Sequence, residues 1–372
     1  MESGIRCMMM RGGTSKGAYF LAKDLPLDIG ERDDLLLRIL GSPDPRQIDG
    51  VGGAHPLTSK VAIVSPSMLP EADVDFLFAQ VSVQEALVDT TPNCGNILAG
   101  VGPFAIERGL VSIASNETRV RVKTLNTGTL AELVVSTPGG CVKYAGETAI
   151  DGVPGTAAAI PINFLGTEGS VCGSLFPTGR RLDTIDGVSI TCIDNGMPVV
   201  LLYAADFGFR GSESCRQIEA ASEALARIET IRLEVGRRMG LGDVAGAVVP
   251  KMCLISAAID GGCLNTRSLI PKNCHSSIGV FAAVSVATAC VLPGTIAYPM
   301  AVKPAGPIKV MEVEHPTGKF QVRLEMGGTE DEPTVLRGGL IRTARALFDG
   351  TVFPRAKSTT DQVAGSRGER HE

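Results

Sequence analysis

The sequence predicts an α/β (α+β) protein of two similar halves, each a mixed sheet curled about its own apolar helix. Three observations lead there. The chain has 372 residues, and a domain typically takes roughly 100–200, so two domains are expected. Two stretches, 97–107 and 278–291, are apolar all round, and such a helix must be buried on every side. Each follows β-rich sequence and an Asn-Cys pair, Asn93-Cys94 and Asn273-Cys274, and the pairs lie 180 positions apart.

The elements follow in order. Residues 6–10 read as a strand running into the glycine-rich turn Arg11-Gly12-Gly13-Thr14-Ser15-Lys16-Gly17, and 18–21 as its partner. Helical periodicity covers 31–40 and stops at Gly41-Ser42-Pro43. A Gly-rich loop at 49–54 and Thr58-Ser59-Lys60 lead into an apolar strand at 61–64, and alternation marks another at 74–83. Asn93-Cys94-Gly95-Asn96 opens the first apolar helix. Strands are expected at 119–124, 130–136 and 141–145. After a loop at 152–156, two more flank the turn Asp194-Asn195-Gly196-Met197-Pro198, at 188–193 and 199–203. Residues 218–239 read as one charged helix, and 252–257 and 264–270 as strands. Asn273-Cys274-His275-Ser276-Ser277 opens the second apolar helix. Strands at 308–314 and 320–326 precede a polar loop at 329–332. A short helix at 343–348 closes the fold, and a frayed polar tail follows Arg355.

Composition excludes several classes. Hydrophobic residues make up 44% and charged ones 20%, enough apolar material for real cores. The net charge of −5 offers no global basic field for nucleic acid or an anionic membrane, so an anionic ligand needs locally clustered Arg and Lys. Trp is absent and aromatics are sparse, which disfavours base-stacking platforms. Ten scattered cysteines without a C-x-x-C pattern point to reduced thiols and a cytoplasmic location. The four histidines lack metal-ligand spacing, so no metal site is expected. No secretory signal is read at the N-terminus. The apolar run 278–292 falls short of the ~18–20 residues a bilayer span needs, and reads as a buried helix.

Four clusters have the residue types for chemistry. The segment from Arg11 to Gly17 has the composition of an anion cradle: two glycines for close approach, the Thr14 and Ser15 hydroxyls, and the Arg11 and Lys16 charges. An ordinary hairpin turn would read the same, and the P-loop order is missing. Cys94, at the start of a helix, sits at the positive end of the dipole, which favours its thiolate. The backbone N–H groups at Asn93, Gly95 and Asn96 offer a carboxylate site there, while a buried structural cysteine is the alternative. Lys60, at the edge of an apolar strand, is a base or a solvated strand end. In the second half, Arg267-Ser268 and His275-Ser276-Ser277 form the matching group, with Arg267 able to clamp a carboxylate bidentately. Two helix N-termini with Arg and Lys make a pocket for a ligand with several carboxylates.

These segments also resemble a known family. Arg11-Gly12-Gly13-Thr14-Ser15-Lys16-Gly17, Thr58-Ser59-Lys60-Val61-Ala62 and Asn93-Cys94-Gly95-Asn96 are similar to the signatures of the 2-methylaconitate isomerase family, over about residues 5–355. Ser42-Pro43-Asp44 through Asp49-Gly50, the segment from Asp194 to Leu202 and that from His275 to Cys290 resemble its keto–enol tautomerase branch. The resemblance implies a diaminopimelate-epimerase-like fold with the active site between the halves, and neither metal nor organic cofactor. The expected domains are 1–184 completed by 334–356, then 185–333, with a tail at 357–372. By carry-over, Lys60 and Cys94 transfer protons and Ser15 and Lys16 assist or bind. A symmetric two-thiol racemase would use Cys274, but His275-Ser276-Ser277 departs from the Cys-Gly-x-Gly pattern of the epimerases. The implied enzyme is an isomerase that moves a proton within an unsaturated oxo tricarboxylate. The alternatives are an allylic isomerase of methylaconitate or aconitate type, an amino-acid racemase, and a non-catalytic binder of an anionic metabolite. Neither nucleic acid nor membrane is an expected partner; oligomeric state stays open, a homo-oligomer included.

Overall fold

The computed structural model describes residues 3–329 and 332–357. Positions 330 and 331 of the expected polar loop, and the expected tail beyond residue 357, lie outside the described residues. The chain divides into two compact units: Met1–Ile162 with Arg342–Glu372, and Asn163–Ile341.

The elements are β1 (Ile5–Gly12), β2 (Ser15–Leu21), α1 (Ile29–Leu40), β3 (Lys60–Pro66), β4 (Val74–Val81), β5 (Val88–Asp89), α2 (Gly95–Glu107), β6 (Glu117–Thr124), β7 (Leu130–Ser136) and β8 (Ala159–Leu165). They continue with β9 (Asp183–Ile185), β10 (Val188–Asp194), β11 (Pro198–Tyr203), α3 (Cys215–Glu219), α4 (Ser222–Arg238), β12 (Lys251–Ser256), β13 (Leu264–Ile270) and β14 (Asn273–Cys274). The last are α5 (Val280–Val291), β15 (Ile308–His315), β16 (Gly318–Gly328) and β17 (Pro333–Val352).

In the first unit β1 pairs antiparallel with β2, β2 parallel with β3, β3 antiparallel with β4, β4 parallel with β6, and β6 antiparallel with β7. The short β5 pairs with β4, just ahead of α2. The sheet curls about α2, whose residues from Ile97 to Ile106 are all buried. Its other face packs on α1 through Cys7, Met9, Ala18, Phe20, Leu36 and Ile39. Asp28 caps α1 by accepting the Glu31 N–H, and Gly41 ends it at φ 80°.

The second unit repeats this order of pairings. β10 is antiparallel to β11, β11 parallel to β12, β12 antiparallel to β13, β13 parallel to β15, and β15 antiparallel to β16. β11 is buried on both faces, as its continuous apolar run indicates. Val199 and Leu201 pack in the core around α5, while Val200 and Leu202 pack with Ile228, Ile231 and Val235 of α4. Among the described residues no helix is long and apolar enough to cross a membrane.

Several local expectations need correction. The single helix at 218–239 is two: Ser214 and Gln217 form a capping box for α3, and Ala221 leaves helical geometry before α4. The strand at 141–145 does not form. The helix at 343–348 is part of β17, because backbone pairing with β1 (Arg11 with Arg345, Met9 with Phe348) outweighs local propensity. The second apolar helix starts at Val280 with Gly279 as its cap, so Asn273-Cys274 forms β14 instead of the helix start.

Candidate active site

Three elements of the first unit bring the main candidates together. Lys60 is the first residue of β3, where it pairs with Gly17 of β2 and Gln80 of β4. The Gln80 amide donates to the carbonyls of Pro56 and Ser59, which ties down the approach to Lys60. A buried glutamine, Gln47, does the same from the other side. Its Oε1 accepts from the Ala54 N–H at 2.8 Å and the Ser59 hydroxyl at 2.6 Å, and its Nε2 donates to Ser42. Lys60 is thereby held with only 8% of its surface exposed.

Cys94 is the N-cap residue of α2, in extended geometry, and is 9% exposed. Lys60 Nζ donates to Cys94 Sγ at 3.5 Å and lies 5.1 Å from the centre of the Phe78 ring. A cation over a ring face is attracted by the ring quadrupole. Asn93 Oδ1 accepts the Cys94 N–H, which orients the cap. No side chain caps α2, so its first N–H groups stay available for an anion. A Cβ placed on Gly95 would meet nothing within 4 Å, so the approach over this end is open.

Ser15 completes the group. It lies two residues before Gly17 on β2, on the face of the sheet that carries Tyr19, whose hydroxyl donates to the Ile97 carbonyl of α2. Ser15 Oγ is buried without a hydrogen-bond partner in the described structure. Leaving such a group unpaired costs about 1–3 kcal/mol.

Other expected residues do different work. Asn96 locks the β1–β2 turn onto α2: its Nδ2 donates to Thr14 Oγ1 at 3.0 Å and its Oδ1 accepts from Arg342 Nε at 3.2 Å. A Cβ on Gly12 or Gly13 would strike Asn96 itself, and Gly13 holds a φ of 50°, so both glycines are required by close approach. Arg11 donates through one nitrogen to the Gly13 and Thr343 carbonyls and to the Thr343 hydroxyl. Strand alternation puts Arg11 and Lys16, which pair across β1 and β2, on the face opposite Ser15 and Tyr19.

In the second unit Arg267 is 6% exposed and donates to the Glu213 carbonyl, Asn265 Oδ1 and the Thr266 carbonyl. The Ser268 carbonyl accepts the His275 N–H, and His275 Nδ1 accepts the Ser277 N–H. Ser276 accepts through its carbonyl from Thr317, and the Ser277 hydroxyl lies 3.4 Å from His315. Burial holds the His315 imidazole below the usual histidine range. The Cys274 thiol is pushed up to about 12 by burial and the neighbouring Cys215 thiol, so it is poorly suited to a second thiolate base. Phe78, Gln47 and Arg342 escaped sequence reasoning. Alternation marks Phe78 as inward-facing, but nothing local links it, Gln47 or Arg342 to Lys60 or Asn96.

Known proteins are similar to this chain over most of its length. The chain is 56% identical to the 4-oxalomesaconate tautomerase of Pseudomonas putida over 352 residues, covering 94% of this chain and 96% of that protein. It is 56% identical to the (4E)-oxalomesaconate Delta-isomerase of Novosphingobium sp. over 347 residues, with 93% and 96% covered. The crystal structure of a methylitaconate-delta-isomerase matches with a TM-score of 0.80 at 34% identity, covering 94% of this chain and 95% of that one. The family profile described as PrpF protein spans residues 2–355. The chain therefore belongs to the PrpF family.

Proposed function

We propose that this protein is a tautomerase that converts 4-oxalomesaconate from its keto to its enol form. The observation that carries the proposal is the Lys60–Cys94 pair, 3.5 Å apart at the open, uncapped end of α2. Identity of 56% to proteins named for that substrate supports the choice among polycarboxylates.

The reaction removes a proton from the carbon between ketone and alkene and protonates the ketone oxygen. Both neighbours already acidify that carbon. The remaining tasks are to hold the carboxylates, place a base and stabilise the enolate. With the shared proton on Lys60, beside the Phe78 ring face, Cys94 is the thiolate that takes the carbon proton. Lys60 then delivers its proton to the enolate oxygen, and Ser15 donates a hydrogen bond to it. The α2 N-terminus at Asn93, Gly95 and Asn96 receives a carboxylate.

Purified protein given the keto form should show loss of keto absorbance and, in D₂O, deuterium at the reacting carbon. Neither change in the presence of intact, folded protein would rule the proposal out. A second reading, allylic 1,3-proton transfer, is favoured by the likeness to methylitaconate-delta-isomerase. Turnover of both substrates side by side separates the two.

A further inference from the structure

The outer face of the first unit's sheet carries an unusual row of charge. Lys16 of β2 lies directly opposite Arg11 of β1, and Arg11 directly opposite Arg345 of β17. Residues paired in this way project from the same face, with Cβ atoms roughly 4.5–5.5 Å apart, and like charges so placed repel. Among the described residues none of the three has a carboxylate ion-pair partner. Burial, and then the Arg345 charge, lower the pKa of Arg11 from its ordinary value.

A cavity of about 320 Å³ opens on this row. Arg11 and Arg345 line it with the hydroxyl-bearing Tyr144, Thr148, Thr156 and Thr343, and no acidic residue does. The Tyr144 hydroxyl is buried beside the Glu107 carboxylate, and burial and that charge raise its pKa above the usual tyrosine range. Among the described residues Arg11 commits one guanidinium nitrogen to hydrogen bonds, and Arg345 none.

We propose that this cavity binds a small multivalent oxyanion, a polycarboxylate or a phosphate, held by the Arg11 and Arg345 guanidinium groups and the surrounding hydroxyls. Planar guanidinium forks match carboxylate and phosphate oxygens. An anion here cancels the repulsion along the row. The lining contains none of Ser15, Lys60 or Cys94, so the cavity is a site apart from the reacting group. Arg11 and Lys16 alternate with Gly12 and Ser15 on one hairpin, so the anion also steadies the turn that presents Ser15.

The test is titration calorimetry of the full chain with citrate and with inorganic phosphate at constant ionic strength. It uses the parent protein and the Lys60→Ala, Arg345→Gln and Arg345→Lys variants. Lys60→Ala should keep a saturable anion site. Arg345→Gln should weaken it by about tenfold or more, and Arg345→Lys by less, because the charge stays and the fork is lost. Binding of citrate alone identifies a carboxylate ligand, and of phosphate alone a phosphate ligand; either supports the site. Without anion, Arg345→Gln should melt no lower than the parent, which separates lost binding from lost folding. Equal affinity in Arg345→Gln and parent, no saturable binding to Lys60→Ala, or a lower anion-free melting temperature for Arg345→Gln would each overturn the proposal.

Discussion

At the scale of single residues, the proposed mechanism makes Lys60 and Cys94, 3.5 Å apart, act as a unit. Lys60→Ala and Cys94→Ser should each lower kcat by roughly 10²–10⁴-fold, and the double variant should lose little more than the worse single one. Steady-state rates on the three proteins check this, and a Lys60→Ala enzyme with parental turnover would remove Lys60 from the mechanism. Ser15 separates activity from stability. Its hydroxyl is buried without a partner, so Ser15→Ala should leave the melting temperature unchanged or raised while kcat/KM falls by roughly 10²-fold. A large loss of stability would mean that the hydroxyl has a structural partner. Gly95→Ala should fold normally, because its Cβ meets nothing within 4 Å. Its methyl would then stand where the substrate approaches and raise KM.

At the scale of elements, the distinction is between packing that any apolar residue satisfies and packing that one residue must satisfy. Gly100, on α2, faces Tyr19, and a Cβ there would collide with the Tyr19 hydroxyl that bonds Ile97. Gly100→Ala should therefore cost about 1–3 kcal/mol, read from denaturant melts, although the same change on an exposed helix is stabilising. The pseudo-repeat is exact in its pairings and unequal in its chemistry. The N-cap position of the central helix is held by Cys94 in the first unit and by Gly279 in the second, neither with a side-chain cap. The matching Asn-Cys pairs thus occupy different places, a helix cap and a strand. Two residues of sequence identity cannot reveal a shift of that kind, because the helix start is set by where the preceding strand pairs.

At the scale of the whole molecule, acid sensitivity follows from carboxylates bridged to arginine and from the half-buried His315. The Arg232 guanidinium, itself fully buried, holds the Glu229 carboxyl below its usual range, and Arg108 does the same for Asp349. Each group is more acidic folded than unfolded, so the unfolded chain binds more protons as pH falls. Their stabilisation is complete above the unfolded values, 3.8 for Asp and 4.5 for Glu, and is lost as pH falls through the folded ones. Calorimetric melts should show the melting temperature beginning to fall as pH drops through 6.5, the unfolded histidine value, because His315 is held below it, and falling further below about 5 as the bridged carboxylates are protonated. A melting temperature flat from neutral pH to about 5 would mean that His315 is not perturbed.

Much of the chain is legible in its sequence. Apolar periodicity located both central helices and most strands, because burial on one face, two faces or all round leaves a direct mark on side-chain pattern. Arg11-Gly12-Gly13-Thr14-Ser15, Lys60 and Asn93-Cys94 stood out because close backbone approach, charge at a strand edge and a thiol at a helix start each demand particular residues. Tertiary structure decided what spacing cannot encode. It brought Lys60 within 3.5 Å of Cys94 across 34 positions of chain. It turned 343–348 into a strand through pairing with β1. It put Arg11 and Lys16 on the face opposite Ser15, since alternation along a strand separates neighbours that a linear motif presents together. Sequence determined which chemistries were present; strand register and the three-dimensional path of the chain decided which of them meet.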